Sequence, residues 1–203
     1  MLAELQKKYD ADKLDTGLVM HFLDVYEHHF STMRERPMKI LEIGVHHGGS
    51  LRMWAEYFPN SKITGVDIDE DCKKHSGKNI NVIIGDQADV DFLDTLGHFD
   101  IIVDDGGHTM IQQRTSLEVL WDHLHPGGVY VIEDLETSYW PKFGGAYLKH
   151  GTMIETLKGR VDNLNHRGIA HKRAEKEQRT VDNYQIKSIH FYPSLCLIYK
   201  EDA

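Results

Sequence analysis

Residues 39–50 read Lys-Ile-Leu-Glu-Ile-Gly-Val-His-His-Gly-Gly-Ser (KILEIGVHHGGS). A short apolar run, Lys39 to Ile43, ends at a glycine turn. A helical stretch follows, Ser50 to Tyr57 (SLRMWAEY), with Ser50 as its expected N-cap. Strand, glycine turn and helix in that order open a βαβ unit, and glycines there let the backbone turn tightly and approach a ligand. A run as apolar as this one suits a strand covered on both faces.

The same alternation continues outward. Further strands are expected at Lys62 to Asp67, Ile80 to Ile84, Asp100 to Asp104 and Val129 to Glu133. Ile186 to Tyr192 and Leu195 to Tyr199 flank Pro193-Ser194 and read as an antiparallel pair. Gln112 to His123 carries Leu117, Leu120 and Trp121 at helical spacing, and Pro126-Gly127-Gly128 is expected to stop that helix before the fifth strand. Residues 1–36 read as one or two helices ahead of the sheet. The charged stretch from Gly151 to Arg179 reads as partly helical and partly mobile, with a solvated face. The expected fold is therefore α/β: a doubly wound, Rossmann-like sheet, mostly parallel, with an antiparallel C-terminal strand. One domain is expected, residues 1–36 being a lead-in and 37–203 the core.

Bulk properties narrow the function. The 203 residues carry 23 Lys plus Arg against 32 Asp plus Glu, a formal net charge of −9. That balance argues against nucleic acid as partner, which calls for a basic face. Cys72 and Cys196 lie too far apart for a zinc motif and read as reduced, buried thiols. No apolar run reaches membrane-spanning length, and the polar start MLAELQKKYDADK lacks an apolar leader core. A soluble, cytoplasmic protein without a membrane partner is expected.

Three successive strand ends suggest a cofactor. A dinucleotide fingerprint would need glycine at position 46, but His46 stands there and would crowd a pyrophosphate. S-adenosylmethionine has no pyrophosphate, and its methionine part suits the looser turn of Glu42, Gly44, Gly48, Gly49 and Ser50. Asp67, at the end of the second strand, is placed to accept hydrogen bonds from ribose hydroxyls. The third strand ends in Gly85-Asp86-Gln87, where a polar side chain can read the adenine edge.

The fourth and fifth strand ends are unusually acidic: Asp104-Asp105-Gly106-Gly107-His108 and Glu133-Asp134. Neighbouring strands bring these groups together, and like charges repel unless something positive sits among them. A hard divalent cation answers that need, and Mg²⁺ suits oxygen ligands. The plainer reading makes Glu133 and Asp134 helix caps and Asp104 and Asp105 turn residues. His108, after two glycines, is placed to take a proton from a hydroxyl beside the ion.

The stretches ILEIGVHHGGSLRMW, GVDID, GDQAD, FDIIVDDGGHTM and PGGVYVIEDLETSYW together resemble the macrolide sugar O-methyltransferases of the mycinamicin and macrocin type, with cephalosporin-hydroxylase-like relatives. Asp12-Lys13, followed by His21 and Tyr26, looks like that family's lead-in. The resemblance implies Asp105, Glu133 and Asp134 as Mg²⁺ ligands and His108 as general base. It implies Glu42, Gly44, Asp67, Asp86 and Gln87 around S-adenosylmethionine, with Asp104 beside them. The acceptor would be a small-molecule hydroxyl on a sugar, and the protein a homo-oligomer. Tyr139, Trp140 and Phe143 read equally as an aromatic wall for that acceptor or as core. A nicotinamide-dependent oxidoreductase and a non-catalytic S-adenosylmethionine-binding domain stay open as alternatives.

Overall fold

The computed structural model describes residues 1–11, 13, 22–166 and 184–203. Seven strands form one sheet: β1 (Lys39–Ile43), β2 (Lys62–Asp67), β3 (Ile80–Ile84), β4 (Phe99–Asp104), β5 (Leu124–Ile132), β6 (Ile186–Tyr192) and β7 (Leu195–Lys200). Their order is β3-β2-β1-β4-β5-β7-β6, with β1 to β5 parallel and β7 antiparallel to both neighbours. Chain order reverses between β1 and β4, the point where open α/β sheets leave a crevice.

Strand alternation divides the core. Ile40, Ile101, Val103, Val129 and Val131 face α1 (Leu2–Tyr9), α2 (Phe22–Phe30) and α3 (Gly49–Tyr57). Leu41, Ile43, Ile102, Tyr130 and Ile132 face α4 (Val90–Asp94), α5 (Met110–Leu120) and α6 (Met153–His166). Both faces are covered, which is why the parallel strands read as mostly apolar runs. No helix among the described residues is long and apolar enough to cross a membrane.

Several expected boundaries shift. Ser50 does not cap α3: Gly48 takes the N-cap in left-handed backbone, and the Ser50 hydroxyl donates to Glu42 instead, at 2.7 Å. α5 starts two residues early because Thr109 and Gln112 form a reciprocal capping box, Thr109 directly following His108. Pro126-Gly127-Gly128 does not precede β5 but lies inside it, where the pairing with β4 shifts register between Phe99 and Ile101. A proline is tolerated at such an irregularity because a ladder donor is already lost there. α6 is more than a solvated face, since Met153, Leu157 and Arg160 are buried and the Arg160 guanidinium lies 3.3 Å from the Tyr184 ring centroid. Residues 167–179 of the stretch expected to be partly helical and partly mobile lie outside the described residues, as do Asp12 and His21 of the lead-in.

Candidate active site

Two backbone bonds carry the sheet's register one residue past the strand tips. Asp105 N donates to Ile43 O, and Glu133 N to Asp104 O, both at 3.0 Å. They bring the acidic ends of β4 and β5 side by side next to the β1 turn. A cleft of about 770 Å³ opens there, large enough for a cofactor and part of a second ligand.

Of the expected cofactor residues, Gly44, Asp67, Asp86 and Gln87 line this cleft, whereas Glu42, Gly48, Gly49, Ser50 and Asp104 do not. Each of the latter has a structural occupation. Glu42 is buried and accepts from Ser50 and from Trp54 Nε1. A Cβ on Gly49 would fall 2.7 Å from Asp10 O, so the glycine is needed for chain packing. Asp104 points back among the helices, accepting from Gln87 Nε2 at 3.1 Å and the Tyr130 hydroxyl at 3.2 Å. Burial pushes its carboxyl up to about 7. Strand alternation explains the pair, for Asp104 turns into the sheet and Asp105 turns out.

The lining groups are also tied to the fold. Gly44 has φ +93°, and a Cβ there would lie 2.0 Å from the Asp105 carbonyl oxygen. The glycine therefore serves the close approach of two protein backbones. Asp67 accepts from the amides of Val45, His46 and Asp69, at 2.8, 3.0 and 2.9 Å. Burial works to raise it, but those three bonds outweigh burial and hold it below the usual carboxylate range. Gln87 spends its amide on Asp104, Ser116 and Gly107 N, which leaves Asp86, exposed at the rim, as the freer polar group of that strand end. His46 and His47 also line the cleft, with rings 3.8 Å apart. Trp140 lines it too and is half-exposed, nearer to the aromatic-wall reading than to core.

The positive charge that the acidic tips require is present in the chain itself. Lys13 Nζ donates to Asp105 Oδ2 at 2.5 Å and to Glu133 Oε1 at 2.7 Å, and lies 3.1 Å from Glu42 Oε1. The Tyr26 hydroxyl donates to the same Glu133 oxygen at 2.5 Å. Burial pulls the ammonium down, yet Asp105, Glu133 and Glu42 together hold it well above its ordinary value. One ammonium does not balance three carboxylates, and burial, reinforced by Asp105, pushes Glu133 well up. Lys13 was legible only as part of the lead-in pattern. Its partners stand 92 and 120 residues away in the chain, and the one available signal was the excess of acid at the strand tips.

On the cleft side, Asp105, His108 and Asp134 each offer one donor atom, all within 4.8 Å of one another. Two carboxylates and an imidazole are a fitting donor set for a divalent cation. Glu133, expected as a third ligand, also lines the cleft but is buried, with Oε1 taken by Lys13 and Tyr26. His108 Nε2 is 3.2 Å from Asp134 Oδ2, and its Nδ1 is buried without a hydrogen-bond partner among the described residues. Burial pushes Asp134 up to about 6, with His108 pulling the other way. His108 and Asp134 both hold left-handed backbone, φ 55° and 54°. That conformation costs about 1 kcal/mol for each non-glycine residue, and such strain gathers at functional sites.

The strand order, the crevice at its reversal and the glycine turn after β1 are those of the class I methyltransferase fold. The pattern of the family described as "Methyltransferase domain" matches residues 41–135. Several curated relatives that the chain matches are named O-methyltransferases. It is 36% identical, over 98% of its length, to the 8-demethyl-8-alpha-L-rhamnosyl tetracenomycin-C 2'-O-methyltransferase of Streptomyces olivaceus, covering 54% of that protein. It is 38% identical, over 98% of its length, to the mycinamicin VI 2''-O-methyltransferase of Micromonospora griseorubida, covering 52% of it. Among solved structures, the MycE methyltransferase of the mycinamycin pathway, in complex with Mg and SAH, superposes with a TM-score of 0.89 at 36% identity. That match covers 99% of this chain and 54% of MycE. The chain thus spans about half the length of these relatives.

Proposed function

We propose that this protein transfers a methyl group from S-adenosylmethionine to a hydroxyl of a sugar, most fittingly one carried by a glycosylated natural product. The observation that carries the reading is the Asp105, His108 and Asp134 cluster, set on the rim of a cofactor-sized cleft at the sheet's reversal point. The homologues' named activities support it, as does the presence of Mg and SAH in the MycE complex.

In this reading Asp67 accepts from the ribose, Asp86 faces the adenine, and the Gly44 turn borders the methionine part. Asp105 and Asp134, with Glu133 behind them, would hold Mg²⁺. When bound, the cofactor supplies the electrophilic methyl, and the ion supplies a positive centre that makes a nearby hydroxyl easier to deprotonate. His108 Nε2 accepts the acceptor's proton once Asp134 no longer engages it. Asp134 thereby links ligand binding to the freeing of the base. Trp140 gives the acceptor an apolar surface at the cleft edge. Methyl transfer is an in-line displacement, so much of the acceleration comes from holding the reacting oxygen and the methyl in line. Assembly as a homo-oligomer belongs to the same reading.

The test uses purified protein, methyl-labelled S-adenosylmethionine and a panel of glycosylated macrolide and tetracenomycin acceptors. Label should enter a sugar hydroxyl, stop in EDTA and resume with Mg²⁺. Full turnover in chelator overturns the metal assignment. Failure to bind S-adenosylhomocysteine in calorimetry overturns the methyltransferase reading.

A further inference from the structure

Lys13 has no part in that reaction, yet it is among the most enclosed charges in the molecule, its side chain having no exposed surface. Its three carboxylate partners come from the ends of three strands: Glu42 on β1, Asp105 after β4 and Glu133 after β5. Tyr26 donates to Glu133 from α2. Asp105 belongs to two groups at once, bonding Lys13 on the buried side and joining His108 and Asp134 at the cleft.

We propose that Lys13 is a positioning residue, a built-in counter-ion that holds the carboxylates of β1, β4 and β5 in place and lowers the affinity of the Asp105 and Asp134 carboxylates for a divalent cation. This rests on the reading that those two carboxylates take such a cation. Buried carboxylates in excess are unstable without a positive charge near them. An ammonium tethered to the same chain supplies that charge at any metal concentration, so the strand tips keep their arrangement when no ion is bound. The same fixed charge repels a dication at the neighbouring position. A chain without it should therefore lean on the metal more and bind it more tightly. A lysine that served packing alone would, on removal, weaken the protein equally with and without metal.

The experiment uses the full chain and Mn²⁺ as probe, free Mn²⁺ being followed by electron paramagnetic resonance. Melting curves are taken in EDTA and in saturating Mg²⁺. The wild type is compared with Lys13→Met, with Lys13→Gln, which retains a hydrogen-bond donor, and with Lys13→Arg, which retains the charge. Met and Gln should bind Mn²⁺ at least about tenfold more tightly than the wild type, and Mg²⁺ should raise their melting temperatures by more. Arg should stay within about threefold of the wild type, since its charge remains in place. Variants that fold only with Mg²⁺ would support the same conclusion. Unchanged or weaker Mn²⁺ binding in Met and Gln, or chains that stay unfolded with and without Mg²⁺, would make Lys13 structural and overturn the proposal. Absence of Mn²⁺ binding in the wild type would instead overturn the cation reading on which it rests.

Discussion

His108 Nε2 and Asp134 Oδ2 lie 3.2 Å apart across the tips of two neighbouring strands, and both residues hold left-handed backbone. The pairing lets one carboxylate serve either the imidazole or a cation. Replacing each residue by asparagine separates these duties, because asparagine tolerates the left-handed region. His108→Asn is expected to lower kcat about 10²–10⁴-fold, the usual worth of a general base, while Mn²⁺ binding stays within a few-fold. Asp134→Asn is expected to abolish both turnover and Mn²⁺ binding, with the melting temperature little changed. Loss of Mn²⁺ binding in His108→Asn would make the imidazole a ligand and not the base.

The position of His108 also depends on how α5 begins. Thr109 accepts from Gln112 N at 3.3 Å, and Thr109 N donates to Gln112 Oε1 at 3.2 Å. Thr109→Ala removes half of this box and is expected to lower stability by about 1 kcal/mol. For a chain of this size that is about 3 °C in melting temperature. Because the box starts at the residue after His108, kcat should fall several-fold while S-adenosylhomocysteine affinity holds. Calorimetry and steady-state kinetics on one preparation check both parts.

The strands were readable because the central ones are covered on both faces and even the edge strand Ile80–Ile84 is rich in β-branched residues, so Lys39–Ile43 and Ile80–Ile84 appear as mostly apolar runs with correct ends. Local chemistry was less readable where two roles compete for one residue. Ser50 has the side chain of an N-cap, but the buried Glu42, eight residues earlier, takes its hydroxyl instead. Asp104 and Asp105 are adjacent and alike in sequence, and only the pleat sends one inward and the other to the cleft. Lys13 shows the larger limit, since its meaning lies wholly in partners brought to it by the finished sheet.

Gly44 offers a stability test of that finished sheet. Its φ of +93° and the 2.0 Å approach to Asp105 O leave no room for a methyl group. Gly44→Ala must move the β1 turn away from the β4 loop. The expected loss is about 3 kcal/mol or more, the sum of backbone strain and overpacking. Chemical denaturation should show a lower midpoint with an unchanged slope. A loss under about 0.5 kcal/mol, the range of ordinary surface substitutions, would mean that the close approach does not hold in solution.

Far from the cleft, His29 links α2 to β6 and β7 and gives stability a pH dependence of its own. Its Nδ1 lies 2.8 Å from the Tyr199 hydroxyl and its Nε2 2.9 Å from that of Tyr192, and His28 and His190 pack against its ring. Burial, then the charges of His190 and His28, lowers it from 6.5 to about 4. The unfolded chain therefore binds a proton at this residue more readily than the folded one. Stability contributed by the neutral ring is full above about pH 6.5 and drains away as the pH falls toward 4. His29→Gln cannot titrate, so its melting temperature should fall less between pH 7 and pH 4.5 than that of the wild type, even if it starts lower. Parallel curves for the two proteins over that interval would show that His29 titrates normally and that its tyrosine partners do not hold it neutral.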